Sequence, residues 1–100
     1  MNYIVLDDAT DPTAASKNAR RFVTEDKVDV IIASTATPTT TAVLEVAAES
    51  KTPQIALAPF APAPDKAPWV FQMPQDFGIM AGAIAAHMAA NGVKTVAFSG

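Results

Sequence analysis

The chain has no cysteine. That excludes disulfides, thiolate zinc sites and a cysteine nucleophile, and it leaves the compartment open. Charge is sparse. Seven Lys and Arg against ten Asp and Glu give a net charge of −3 over 100 residues. No basic group is denser than the pair Arg20–Arg21, and none alternates with aromatics, which argues against a nucleic-acid surface. There is one histidine, His87. With no second His and no Cys beside it, it reads as a helix-surface or edge residue and not as a ligand or base. The longest nearly apolar stretch, Phe77–Ala90, is too short and too polar to span a membrane. Met1 runs directly into Asn2-Tyr3-Ile4-Val5-Leu6, which reads as a strand and not as a signal peptide. No strand is followed by GxGxxG, and neither GxxxxGK(S/T) nor GxSxG occurs, so dinucleotide, P-loop and nucleophile-elbow chemistry have no motif. No cofactor is expected. Nothing assembles a nucleophile, a base and an oxyanion site, so the chain does not read as an enzyme.

Half of the residues are apolar and 17% are charged, which suits one globular domain with a modest core. Tyr3–Leu6 predicts a short strand. Asp11 and Pro12 are a good N-cap and first helical residue. Ala15, Ala19, Phe22 and Val23 then form one buried stripe of a helix ending near Asp26. Val28–Ala33 is nearly continuously apolar and β-branched, the pattern of a strand covered on both faces. A second helix is expected from about Pro38 to Glu49, burying Val43, Val46 and Ala47, and a further strand at Gln54–Ala58. Pro59, Pro62, Pro64 and Pro68 break regular structure and make Phe60–Pro68 a loop. Trp69–Met73 is a short extended segment. Asp76 is placed to cap a third helix, with Phe77, Met80, Ala81, Ile84 and Met88 on one face and a stop at Asn91-Gly92. Val93–Ser99 is a final strand. Alternation of this kind predicts an α/β fold, a three-layer, doubly wound, mostly parallel sheet.

In such sheets ligands bind beyond the carboxyl ends of the strands. Three ends carry candidates. Asp7-Asp8 resembles the paired acids of a magnesium site, but a later strand offers no further Asp, and turn acids bonded to local backbone are the simpler reading. The run Ser34 to Thr41 places hydroxyls and N–H groups at a helix N-terminus, where a carboxylate could sit. Ordinary N-capping by Thr37 explains the same residues about as well. Ala58-Pro59-Phe60-Ala61-Pro62 is either a rigid apolar loop over the sheet edge or a ligand wall with Phe60 offering a ring face.

The segments DDATDPTAASKNARRFV, VDVIIASTATPTTTAVLEVAAESKTPQIALAP and PQDFGIMAGAIAAHMAANGVKTVAFSG together resemble the first lobe of type I periplasmic solute-binding proteins. The nearest branch feeds branched-chain amino acid ABC transporters. The resemblance implies part of a two-lobed clamshell that closes on a ligand, presents it to a membrane permease and catalyses nothing. It implies a periplasmic location for the parent protein. It also implies a ligand carboxylate held by Ser/Thr and N–H groups at the second helix, matching Thr37, Thr39 and Thr40, and a second contact set at Phe60 and Ala61. The family's amino-acid binders typically carry Thr or Ser where Pro62 stands here. Proline offers neither hydroxyl nor N–H, which favours an aromatic or other apolar carboxylate over a branched-chain amino acid.

The family lobe begins with a strand and helix that find no counterpart before Tyr3. The chain is therefore expected to be a single partial domain over residues 1–100, with weak or no ligand affinity alone. Exposed strand edges favour a homo-oligomer built by edge pairing. Two other readings are a flavodoxin-like or receiver-like domain in signalling or catalysis, and a structural fragment that self-associates.

Overall fold

The computed structural model describes residues 1–75, 77–97 and 99. The first helix, α1, spans Pro12–Thr24. Its start is set locally: Asp11 has extended backbone, and its Oδ1 accepts from Thr13 N at 2.6 Å and Ala14 N at 3.1 Å. Those two N–H groups favour the ionised carboxyl and hold it below the ordinary aspartate range, with the Ala14 bond the larger cause. The helix closes at Thr24, two residues before the expected end. The N–H groups of Glu25 and Asp26 both return to the Arg21 carbonyl, and Lys27 turns left-handed at φ 48°.

Three short parallel strands follow in the order β1-β2-β3: β1 at Ile31–Ile32, β2 at Gln54–Ala56 and β3 at Val70–Gln72. The register pairs Ile31 with Gln54 and Val70, and Ile32 with Ile55 and Phe71. The second helix, α2, spans Thr37–Ser50 and joins β1 to β2. It ends on Lys51, left-handed at φ 56°, whose N–H reaches Ala47 and Ala48 carbonyls. A 3-10 turn at Ala67–Trp69 leads into β3.

The core sits between the helices and one sheet face. Ala15 and Ala19 of α1 meet Val43, Val46 and Ala47 of α2 over Ile31 and Ala33. Alanines at this contact let the two helices approach closely. A second cluster joins Leu44, Ala56, Phe60 and Val70, with Trp69 packed against it. The other sheet face is open. Ile32 and Phe71 are exposed there and Ile55 is half-buried in the same row. Strand alternation adds exposed Val30, Leu57 and Met73 two residues away.

Four local expectations are corrected. Tyr3–Leu6 forms no strand, and Tyr3 and Val5 are exposed. A strand needs a neighbour, and this segment faces β1 only across a recess lined by Leu6, Asn18, Phe22, Ile31 and Ala33. Its end is held by Asn18 Nδ2 donating to the Asp7 carbonyl at 2.8 Å. The described residues of Val93–Ser99 form no strand either; Val93 and Val96 are exposed, and Phe98 lies outside the described residues. The third helix, α3, spans Phe77–Ala90 as expected, but buries no residue. Phe77 and Ile84, expected on a packed face, are 51% and 59% exposed, and Met80 and Met88 of the same face are only half-buried. The proposed cap Asp76 lies outside the described residues. Finally, Val28–Ala33 is covered on one face only, as the exposed Val30 and Ile32 show. Its paired part is correspondingly short.

Candidate functional site

The parallel strands point their carboxyl ends at two segments, the start of α2 and the loop after β2. The start of α2 lacks a side-chain cap. Ala36, not Thr37, is the N-cap residue, with extended backbone and no side-chain bond. Thr37 is the first helical residue, and Pro38 follows it. The Thr37 hydroxyl instead donates to the Pro59 carbonyl at 3.0 Å and so ties the helix end to the loop. The expectation that Thr37 caps the helix is therefore corrected.

The other threonine hydroxyls also turn inward. Thr39 Oγ1 donates to the Ala36 carbonyl at 2.9 Å, and Thr40 Oγ1 to the Ser34 carbonyl at 2.7 Å. Both residues are fully buried. Their hydroxyls shape the turn and cannot also face a ligand. Backbone donors are what this helix end offers. Thr40 N finds the Ala36 carbonyl at 3.0 Å, and Pro38 has no N–H. The N–H groups of Thr37 and Thr39 find no acceptor among the described residues. No acidic or basic residue occupies the first turn. The macrodipole therefore acts there without a competing side-chain charge, and it favours an anion.

The loop after β2 is held from both sides. Thr37 grips the Pro59 carbonyl, and Gln72 Nε2 donates to the next carbonyl, that of Phe60, at 2.6 Å. The Phe60 ring lies in the core with Leu44, Ala56 and Val70, only 4% exposed. It packs the loop to α2 and presents no open ring face. Ala61 is exposed and Pro62 half-buried beside it. The structure thus brings Thr37 together with the Pro59–Ala61 loop, and it withdraws Thr39, Thr40 and the Phe60 ring into the protein.

The remaining candidates are local. Asp7 Oδ1 accepts from Ala9 N and Asp8 Oδ1 from Thr10 N, each at 2.8 Å, in a turn where Ala9 and Thr10 are left-handed. This is the turn-acid geometry. No group of three or more His, Cys, Asp or Glu among the described residues could hold a metal ion. His87 lies exposed on α3.

Sequence reasoning missed Gln54 and Gln72. Gln54 is fully buried and donates from Nε2 to the Thr40 carbonyl at 3.0 Å, bracing the turn from below. The available signal was a glutamine inside each of two apolar strands, since such a side chain is enclosed only where its amide has a task.

The family model for periplasmic binding proteins matches residues 1–100. No curated protein sequence matches the chain. Among solved structures, an extracellular ligand-binding receptor from Rhodopseudomonas palustris HaA2 is 53% identical, with a TM-score of 0.89. The match covers 93% of this chain and 26% of that one. A solute binding protein of an ABC transporter from Rhodopseudomonas palustris BisB5, in complex with 3,4-dihydroxy benzoic acid, is 26% identical with a TM-score of 0.83, over 93% and 26% of the two chains. A leucine binding protein from Thermotoga maritima MSB8 shares the fold, at 22% identity and a TM-score of 0.78 over 90% and 26%. The chain spans about a quarter of the length of these solved proteins. The matched family, the parallel sheet and the agreement in shape converge: the chain belongs to the type I periplasmic binding proteins.

Proposed function

We propose that this chain supplies one wall of the ligand cleft in a solute-binding protein that feeds an ABC transporter, and that the ligand is an aromatic carboxylate. It binds and delivers, and it catalyses nothing. The observation that carries the reading is the bond from the Thr37 hydroxyl to the Pro59 carbonyl. It joins an uncapped helix N-terminus to the loop after β2, at the end of the sheet where open α/β folds take ligands. The ligand carboxylate accepts from the Thr37 N–H at the exposed start of the helix. Thr40 holds the turn through Ser34. Ala61 lines the wall, and Phe60 supports it from the core.

Two features favour an aromatic acid over an amino acid. No acidic residue stands in the first turn of α2 to pair with an ammonium, and Pro62 offers no hydroxyl. The similar solute-binding protein in complex with 3,4-dihydroxy benzoic acid supports the same class. In the intact protein the partner is a membrane permease and the setting the periplasm. That α3 buries no residue supports assigning it to the far side of the cleft. The free outer edge of β1 supports self-association of the isolated chain by strand-edge pairing.

A nuclear magnetic resonance titration of the 15N-labelled chain tests the ligand assignment. Benzoate is expected to shift the Thr37, Thr39 and Ala61 amides at millimolar concentration, since half a cleft makes half the contacts. Leucine is expected to leave them in place. Shifts with leucine and none with benzoate would overturn the assignment.

A further inference from the structure

Gln54 is a polar residue in an apolar place. It occupies the row Ile31–Gln54–Val70 across the sheet, and those neighbours belong to the two apolar clusters, Ile31 to the first and Val70 to the second. It is the largest fully buried side chain among the described residues. Its Nε2 donates to the Thr40 carbonyl at 3.0 Å, and its Oε1 has no partner among the described residues. Rotating the amide by half a turn would set oxygen against oxygen, so this orientation is fixed.

Satisfying the backbone does not account for this residue. The Thr40 carbonyl lies inside α2, where the helical ladder supplies it a donor of its own. The enclosed Oε1 without a donor is unfavourable. A methionine would fill nearly the same volume and leave no polar atom orphaned. What the glutamine adds is a hold on the start of the helix. Thr40 is the node of that turn: its N–H donates to the Ala36 carbonyl at 3.0 Å, its hydroxyl to the Ser34 carbonyl at 2.7 Å, and its carbonyl accepts from Gln54. The first two bonds lead the chain from β1 into the helix, and the third ties the turn to β2. No side chain caps this helix end, and an uncapped end frays. The Thr37 N–H lies three residues before the tie, in the same turn.

We propose that Gln54 is a positioning residue for the anion-binding end of α2: its bond to the Thr40 carbonyl holds the first turn so that the Thr37 N–H is presented to a carboxylate. The inference rests on the carboxylate reading above and adds the residue that preorganises it. Gln54 touches no ligand and acts through Thr40. A donor already held in place leaves less ordering to be done on association, which favours binding. The orphaned Oε1 is the stability given up for that hold, a local violation of the kind found at functional sites.

The test is a benzoate titration of the 15N-labelled 100-residue chain and of Gln54→Met, followed by nuclear magnetic resonance, with a melting curve for each. In the folded variant the Thr37 amide shift per added benzoate is expected to fall about fivefold, the worth of one hydrogen bond. In the unaltered chain the Gln54 side-chain amide, buried and out of the ligand's reach, is expected to move with the same midpoint as the Thr37 amide. A glutamine that only supports the fold would lower the melting temperature and leave the Thr37 response intact. That result overturns the proposal and leaves the carboxylate reading standing. So does a Gln54 side-chain signal that stays fixed while the Thr37 amide shifts, a measurement that needs no variant. If benzoate leaves the Thr37 amide of the unaltered chain in place, the carboxylate reading fails and this inference fails with it.

Discussion

Phe60 shows how one residue type supports two opposite readings. A phenylalanine in a proline-rich loop at a strand end has the chemistry of a ligand wall. In the structure the ring fills the space between Leu44, Ala56 and Val70 and is 4% exposed. Truncating a buried Phe removes its transfer free energy and leaves a cavity, so Phe60→Ala is expected to cost about 3–5 kcal/mol of stability. Urea unfolding followed by Trp69 fluorescence measures it. An unchanged midpoint together with lost benzoate binding would return the ring to the ligand. Asp11 behaves differently because its task is local. Its cap needs only the N–H groups two and three residues ahead, and the sequence shows that spacing directly. Thr37 falls between these cases. Its hydroxyl had a local use as a cap, and the loop carbonyl of Pro59, 22 residues away in sequence, took it instead.

Among the elements, α1 and α2 are secure because each buries a stripe against the other and against β1. The third helix has no such partner. It carries no Asp, Glu, Lys or Arg, buries no residue, and exposes Ile79 and Ile84 at 62% and 59%. A helix of 14 residues that buries none of them is marginal in water. Hydrogen exchange is therefore expected to separate the helices: α3 amides should exchange roughly 100-fold faster than those of α2. Equal protection would mean that α3 is packed in solution and that its exposed face is covered. The pattern of α3 was legible, as were its bounds. Its partner was not, because periodicity reports which face is apolar and says nothing of what lies opposite. The same limit explains Tyr3–Leu6. Its residues suit a strand, but a strand exists only through hydrogen bonds to a neighbour, and β1 lies across a recess.

As a whole the molecule is elongated. It measures 55 × 26 × 25 Å, with a radius of gyration of 16.6 Å, against about 13 Å for a compact chain of this length. Val30, Ile32, Leu57, Phe71 and Met73 leave an apolar sheet face in water, and among the described residues no strand pairs with the outer edge of β1. Patches of this kind mark surfaces that associate. Light scattering over a dilution series is expected to show a mass that falls with concentration and a melting temperature that falls with it. A constant monomer mass with a constant melting temperature would rule out self-association. The sequence by itself determined the α/β alternation, the cap at Asp11, the apolar stripes of α1 and α2, and the family, because each depends on near neighbours in the chain or on a linear pattern. Only the tertiary structure decided which groups remain free to meet a ligand. It placed the Phe60 ring and the Thr39 and Thr40 hydroxyls inside, left the Thr37 N–H without an acceptor among the described residues, and left α3 with no buried residue. Those outcomes depend on hydrogen bonds and packing between segments far apart in sequence, and no local pattern encodes which distant group arrives first.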